Sequence, residues 1–589
     1  VLLVLALGLA ATLYAPTLDR GIVNYEDPWL YRDNFVVQDA SLASVRTIFC
    51  DLDVTSPARY ALAPEYLPIR DLSVMLDFAV WGSWYPGFHL TNLVLYLASI
   101  ALLYAMLDAF GVDRTIVGLA VLVWAIHPAH AESVAWLSER KGLLGVVFAC
   151  AAGLGYARFR AGRSALWLVG AALATVAAVW SKAPAAFAIA ALAGLEVVLP
   201  ARRVSWRRSL IGLGTLALVG SAAFAPVVMM ASNAEVIGGS SAVPGNRLAT
   251  VLGIHGFYLE LGAMGLRNAV SYPIAKGGPS VFQIVLGALG LVAVVAALAP
   301  RLGRFRPPPP LRAAAVLWLF GWLPVSHLVL PLHMVAIADR YALFATIGVA
   351  LAIAVGVRQL GPRLQIFVGG AVVAIGCART FDAQARWGST LALWERAVDV
   401  SPDDGKAWSM YAEALSEAGE PELAEAAVEE GLTHTRAPRL LLRRALLLLD
   451  AGRRAEALPL FETAAKAGEP IAMSNFALLE LEGGHFASAL GWARRGAEAA
   501  PRSAHAHRTH GKVALASKQF AEAHAAFQTA YAIEPQPTNR YNLALALLAL
   551  HRPAEAVPHL EACLGDRGLA QAARVALAEA HRQLATPQP

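Results

Sequence analysis

Up to about residue 380 the sequence alternates apolar runs with short polar connectors, and beyond that point no apolar run is long enough to span a membrane. The runs are roughly 17–25 residues long, which is what a helix needs to cross a bilayer. A chain of 589 residues that is 57% hydrophobic is too long for one domain and too apolar to be wholly soluble. Spans are expected near 1–16, 88–109, 114–131, 142–158, 164–181, 183–199, 209–231, 281–300, 312–330, 341–357 and 364–380. The opening VLLVLALGLAATLYAPTL has no basic leader and no small-residue cleavage site, so it is read as a trimmed first transmembrane helix and not as a signal peptide. The net charge of +5 is modest, and the basic residues recur between apolar runs. That pattern is a topology signal, and no nucleic-acid partner is expected. Cys50, Cys150, Cys377 and Cys563 are far apart, which implies neither a disulfide framework nor a zinc site.

The connectors sort by charge. ARFRAGRS, PARRVSWRRS, PRLGRFRPPPPLR and VRQLGPRLQ are arginine-rich, whereas SKAPA, SNAEVIGGSSAVPGN and HMVAIAD are not. The positive-inside rule places the first group in the cytoplasm. If 247-RLATVLGIHGFYLELGAMGL-266 spanned, PRLGRFRPPPPLR would fall outside, so this segment is expected to be re-entrant or interfacial. About eleven spans then satisfy every basic loop. The N-terminus is cytoplasmic, and the first loop, near 17–87, lies outside together with everything after 380.

After about residue 400 the chain repeats. Alanines at 424, 457, 489, 523 and 556 are spaced 33, 32, 34 and 33 residues apart, each after a short turn and before a second amphipathic helix. This is the tetratricopeptide period. Trp408, Phe461, Phe527 and Tyr531 are expected in its core, with Pro470, Pro501 and Pro535 ending second helices. Five repeats and a capping helix at 569–584 make a groove that takes an extended peptide or a partner helix. The expected fold class is all-α: a polytopic membrane bundle over 1–380, a linker helix over 381–404 and a tetratricopeptide solenoid over 405–589.

Charge collects on the expected outer face. The first loop opens with 24-NYEDPWLYRDN-34, where Glu26 and Asp27 either supply a general base at the membrane boundary or form an ordinary solvated loop. In 65-EYLPIRDLSVMLDFAVWG-82, Arg70 either grips a phosphate with its guanidinium fork or pairs with Asp71 or Asp77. The run 127-HPAHAESVAWLSERKG-142 carries His127, His130, Glu132, Glu139, Arg140 and Lys141. Its His-x-x-His spacing contains a proline and lacks the HExxH arrangement, so it points less to a metal than to a polar cluster capping helices. Lys182 in SKAP, with Asp339 and Arg340 in ADRY, fall on the same face. Three connectors with cations at span ends suit one anionic group. A carboxylate pair, several cations and adjacent lipid together suit a polyprenyl-linked phosphosugar. The sequence holds no GxxxxGK[ST], no GxGxxG opening a helix and no GxSxG.

The carboxylates of YEDPWL, the segment YLPIRDLSVMLDFAVWG with PGFHLTNLVLY, the run HPAHAESVAWLSERK, SKAP, GWLPVSHLVLPLHMVAIADRY and the junction RWGSTLALWERAVDVSPDDGKAW occur in an order that resembles bacterial membrane glycosyltransferases with C-terminal tetratricopeptide repeats. These are relatives of the TMTC protein O-mannosyltransferases, of GT-C fold. The resemblance implies an inner-membrane transferase using a polyprenyl-phosphate sugar on the periplasmic side, with a protein hydroxyl as acceptor. It makes Asp27 the catalytic base assisted by Glu26, assigns the donor phosphate to Arg70, Arg140, Lys141, Lys182 and Arg340, and lines the pocket with His127, His130, Glu132 and Asp339. No metal ligand set is assigned, and a divalent cation is the one cofactor left open. The chain has Glu26 at the first acidic position, Gly142 after Arg-Lys and Ala183 after Ser-Lys, where the family more often has other acidic residues. The alternative from another class is a non-catalytic membrane-anchored scaffold for envelope protein assembly.

Overall fold

The computed structural model describes residues 1–54, 56–63, 65–199, 204–233, 246–263, 265, 268–272, 278–299, 306–329 and 337–585. Among these the chain is all-α, and it divides into two compact units, Val1–Val54 with Ala61–Ser401, and Thr55–Tyr60 with Pro402–Pro589. Much of the connectors 232–246, 300–312 and 333–339, which entered the topology count, lies outside the described residues.

In the first unit, helices occupy all eleven expected stretches, but their lengths differ. Seven described segments are long and apolar enough to cross a membrane: Leu2–Asp19, Tyr85–Ala109, Leu137–Arg160, Trp206–Asn233, Val281–Leu298, Asp339–Gln359 and Pro362–Gly388. Leu166–Ser181, Ala183–Val198 and Pro309–Trp322 are shorter. The stretch 114–131 is not one straight span. Arg114–Ala125 stops, and the chain bends by 55° into Pro128–Ala135, because Pro128 has no N–H to continue the helix.

Apolar residues face outward where soluble proteins would put polar ones. Val281, Phe282, Val285, Leu289, Val292 and Val295 are all exposed along Val281–Leu298. A helix with this exterior is at home only against lipid. Helix contacts inside the unit use glycine. A Cβ on Gly256 would lie 1.9 Å from the Gln283 carbonyl oxygen, and one on Gly287 would lie 1.8 Å from that of Leu252. The segment 247–266 accordingly contains a helix, Arg247–Gly262, packed backbone to backbone on Val281–Leu298.

The second unit carries five helix pairs, from Gly405–Glu417 with Pro421–His434 to Pro537–Ala549 with Pro553–Cys563, followed by Ala570–Ala585. Ala424, Ala457, Ala489, Ala523 and Ala556 are wholly buried, because each sits where paired helices cross and nothing larger fits. Phe461, Phe527 and Trp408 fill the core, while Tyr531 is half-buried at its edge. Pro501 and Pro535 follow second helices as expected. Pro470 instead opens the helix Pro470–Glu482 at its first position, where a missing N–H costs nothing.

Candidate functional site

The site is assembled from the ends of four elements. Leu2–Tyr14 delivers the loop carrying Glu26 and Asp27, and Pro28 starts a wide turn, Pro28–Arg32, that holds this loop inward. Trp136 is extended, Leu137–Glu139 forms a single tight turn, and Arg140–Arg160 begins directly after it. Glu139, Arg140 and Lys141 therefore sit at a helix N-terminus, the end that attracts anions. Lys182 caps Leu166–Ser181, and Asp339 and Arg340 lead into Ala342–Gln359.

The two adjacent carboxylates have different surroundings. Asp27 is 1% exposed. Its Oδ2 accepts from the Val23 N–H at 3.1 Å, and its Oδ1 accepts from the Ser138 N–H at 3.1 Å and the Ser138 hydroxyl at 2.5 Å. It thus clamps the turn that presents Glu139 and Lys141. Glu26 is partly exposed, has no side-chain hydrogen bond or ion pair among the described residues, and lies within electrostatic reach of Lys141. Asp27, expected as the base with Glu26 assisting, is thus the more enclosed and more fully hydrogen-bonded of the two.

Burial lifts the Asp27 carboxyl from its ordinary 3.8 to about 6, against the pull of the Ser138 and Val23 hydrogen bonds. A raised folded-state value means the folded protein holds this proton more tightly than the unfolded chain. The stabilisation is full below the unfolded pKa of 3.8 and is lost as pH rises through about 6. The expected outcome is that wild-type thermal stability in detergent, measured relative to Asp27→Asn, declines across that pH interval. A constant difference between the two proteins would count against the assigned environment.

Four expected cations come together, each beside a carboxylate. Lys182 pairs with Glu139, whose second oxygen lies 3.8 Å from Arg340 Nε. Arg340 also donates to Glu132 from its side chain at 2.5 Å and from its backbone at 2.7 Å. Lys141 donates to Glu65 at 2.7 Å, and Arg70 pairs with Asp71 at 2.6 Å while its NH1 has no hydrogen-bond partner among the described residues. Beneath Arg340 lies an aromatic floor. Its guanidinium is 5.4 Å from the Trp136 ring, which stacks on Trp387 at 5.4 Å and meets Tyr25 at 5.0 Å.

Other expected members stand apart. Arg140 is wholly buried and spends its guanidinium on Asn92 (2.8 Å), the Phe88 carbonyl (2.9 Å) and Asp77 (2.5 Å). His127 meets the Gly262 carbonyl at 3.1 Å, and His130 is held between Tyr96 and Thr346 at 2.8 Å each. Both imidazoles are wholly buried and act as core struts. Asp339 accepts from Asn268 and Tyr272, at 2.7 Å each. Among the described residues no group of three or more His, Cys, Asp or Glu side chains is placed to hold a metal.

Sequence reasoning gave no role to Glu139, which is central here. The signal for it was Gly142, where a Cβ would come within 2.6 Å of a Glu139 oxygen and 3.3 Å of Lys182 Nζ. It also left out the cleft. A cavity of about 50 Å³, opening outward, is walled by Met106, Val146, Cys150, Pro184, Leu317 and Phe344 among others, nearly all apolar. The elements bearing Lys141, Lys182 and Arg340 are the same ones that supply Val146, Pro184 and Phe344.

Fold and composition define an all-α membrane protein carrying a tetratricopeptide solenoid. The chain matches no protein-family model. It is 34% identical over 109 residues to Protein O-mannosyl-transferase TMTC4 of Mus musculus, covering 16% of this chain and 14% of that protein. It is 28% identical over 152 residues to Protein O-mannosyl-transferase Tmtc1 of Drosophila melanogaster, covering 26% of this chain and 17% of that one. The chain thus spans less than a fifth of the length of these relatives. Among solved structures it is similar to YrrB, a TPR protein with an unusual peptide-binding site, at 19% identity and a TM-score of 0.26, over 31% of this chain and 97% of that one. It is also similar to a thermophilic TPR protein of Thermus thermophilus, TTC0263, at 22% identity and a TM-score of 0.25, over 30% of this chain and 100% of that one.

Proposed function

We propose that this chain is a membrane glycosyltransferase of GT-C type that moves a sugar from a polyprenyl-phosphate donor to an acceptor hydroxyl, a serine or threonine of a protein. The observation that carries this reading is the continuity of cations and cleft. Lys141, Lys182 and Arg340 stand at the ends of elements whose next turns line an apolar space, which suits a ligand with an anionic head and a hydrocarbon tail. The matches to protein O-mannosyl-transferases support it.

In the proposed step Glu26 takes the proton of the acceptor hydroxyl as its oxygen bonds to the anomeric carbon. The bond from that carbon to the phosphate oxygen breaks, and polyprenyl phosphate leaves with its charge held by Lys141, Lys182, Arg340 and Arg70. Asp27 positions Ser138 and hence the turn bearing Glu139 and Lys141. Arg140 has no part in phosphate binding, since its donors are committed inside the bundle. The repeats bind the protein acceptor as an extended segment. The site faces the periplasm of a bacterial inner membrane, with the N-terminus cytoplasmic and the repeats periplasmic.

One observation favours a second reading. Every cation of the cluster already has a carboxylate beside it, so the unit is charge-balanced without a donor, as a non-catalytic scaffold would be. The deciding experiment incubates the purified full chain with radiolabelled polyprenyl-phosphate sugars and a periplasmic protein extract. Label passing to protein from one of the donors supports the transferase. Absence of transfer from every donor, by folded protein whose repeats still capture a partner, establishes the scaffold.

A further inference from the structure

Glu65 differs from the other paired carboxylates of the cluster. Asp71, Glu132 and Glu139 are buried and have nowhere to go, whereas the Glu65 side chain is 46% exposed. Its partners are not exposed in the same way. Lys141 is 13% exposed and Arg70 is 3% exposed, so Glu65 approaches two largely buried cations from the open side and is the carboxylate that bridges them. Exposed ion pairs of this kind are weak and easily exchanged.

The fit is also incomplete. Glu65 Oε2 is 2.7 Å from Lys141 Nζ but 3.8 Å from Arg70 NH1, too far for a hydrogen bond. Arg70 spends Nε and NH2 on Asp71 and the Leu62 carbonyl, while NH1 is buried with no acceptor among the described residues. A buried guanidinium nitrogen left unpaired is costly, and it asks for an oxygen that Glu65 does not bring close enough. A phosphate, with several oxygens around one centre, can reach both cations at once. Two residues before Glu65, Ala63 has φ +73°, a left-handed conformation that a residue with a Cβ adopts only under constraint.

We propose that the Glu65 carboxylate is an internal stand-in for the donor phosphate, occupying the place between Lys141 and Arg70 until the donor displaces it. This rests on the donor reading given above. The stand-in keeps the cations paired when no donor is bound and makes an incoming anion compete for them. Glu65 is a positioning residue and takes no part in the bond-making step.

The test is calorimetric titration of undecaprenyl phosphate, in detergent, into the full chain as wild type, Glu65→Ala, Lys141→Ala and the double variant. Removing the competing carboxylate is expected to tighten binding about two- to fivefold, the range one weak charge pair accounts for. Lys141→Ala with Glu65→Ala should gain less over Lys141→Ala alone than Glu65→Ala gains over the wild type, because Arg70 is then the one cation of the two still contested. Glu65→Gln, which keeps the shape and removes the charge, should move in the same direction as Glu65→Ala. Equal affinities for wild type and both Glu65 variants overturn the inference, as does a gain that is undiminished without Lys141. Absence of binding by any of the proteins overturns the donor reading and the inference with it.

Discussion

Glu26→Gln is expected to lower sugar transfer by about 10²–10⁴-fold, the usual contribution of a positioned general base. Donor binding should be kept or slightly tightened, because Glu26 sits near Lys141 and its charge opposes an incoming phosphate. The loss should therefore appear in kcat and not in donor KM, the signature of a group that acts only as the bond forms. Glu26 bears no side-chain hydrogen bond or ion pair among the described residues, so the amide should leave the fold and its melting midpoint unchanged. Asp27→Asn should behave in the opposite way. Its carbonyl still accepts from Ser138, but its amide cannot accept from the Val23 N–H, so thermal stability drops. Glu26→Asp should retain part of the activity, since a carboxylate remains one methylene short of its place. Full transfer by a folded Glu26→Gln protein would remove Glu26 from the mechanism.

The large-scale architecture was legible because it rests on two periodicities. Span-length apolar runs and a 33-residue alanine repeat each leave a long signal, and both appear as helices at the expected positions. The site was legible only in part, and the misassignments have physical causes. Arg140 and Lys141 are neighbours in sequence, but consecutive helix residues point about 100° apart, so one turns into the bundle toward Asp77 while the other turns toward Glu65. Grouping them as two phosphate-binding cations ignored that rotation. His127 and His130 were expected to line the pocket, yet their ring nitrogens find partners within the core. In the sequence Glu139 is one member of the polar run 127–142, read as a cluster that caps helices. Its burial is set by Lys182 and Arg340, which lie 43 and 201 positions further along the chain, a distance over which no local pattern reports. The apolar cleft is built from several helices and has no sequence signature of its own.

Removing Glu139 should be the most damaging single change to stability in the membrane unit, at about 3–5 kcal/mol, because it strands a buried cation. Glu139 is wholly buried and its partner Lys182 is 7% exposed. Glu139→Ala leaves the Lys182 ammonium facing apolar walls, with Arg340 nearby repelling it. Lys182→Met should be milder, because Arg340, 3.8 Å from the other Glu139 oxygen, remains to balance the carboxylate. The double change Glu139→Gln with Lys182→Met removes both charges and should recover most of the loss, as buried pairs replaced by neutral groups often do. Gly142→Ala tests the same geometry from the side, since its Cβ would lie 2.6 Å from the carboxylate and force the pair apart. Thermal unfolding in one detergent, at low and high salt, measures all four. The differences should persist at high salt, because buried charges are little screened. If Glu139→Ala melts within about 0.5 kcal/mol of the wild type, the scale of an ordinary surface substitution, the pair does not hold the unit together. The network around Lys182 would then be shaped for its ligand alone.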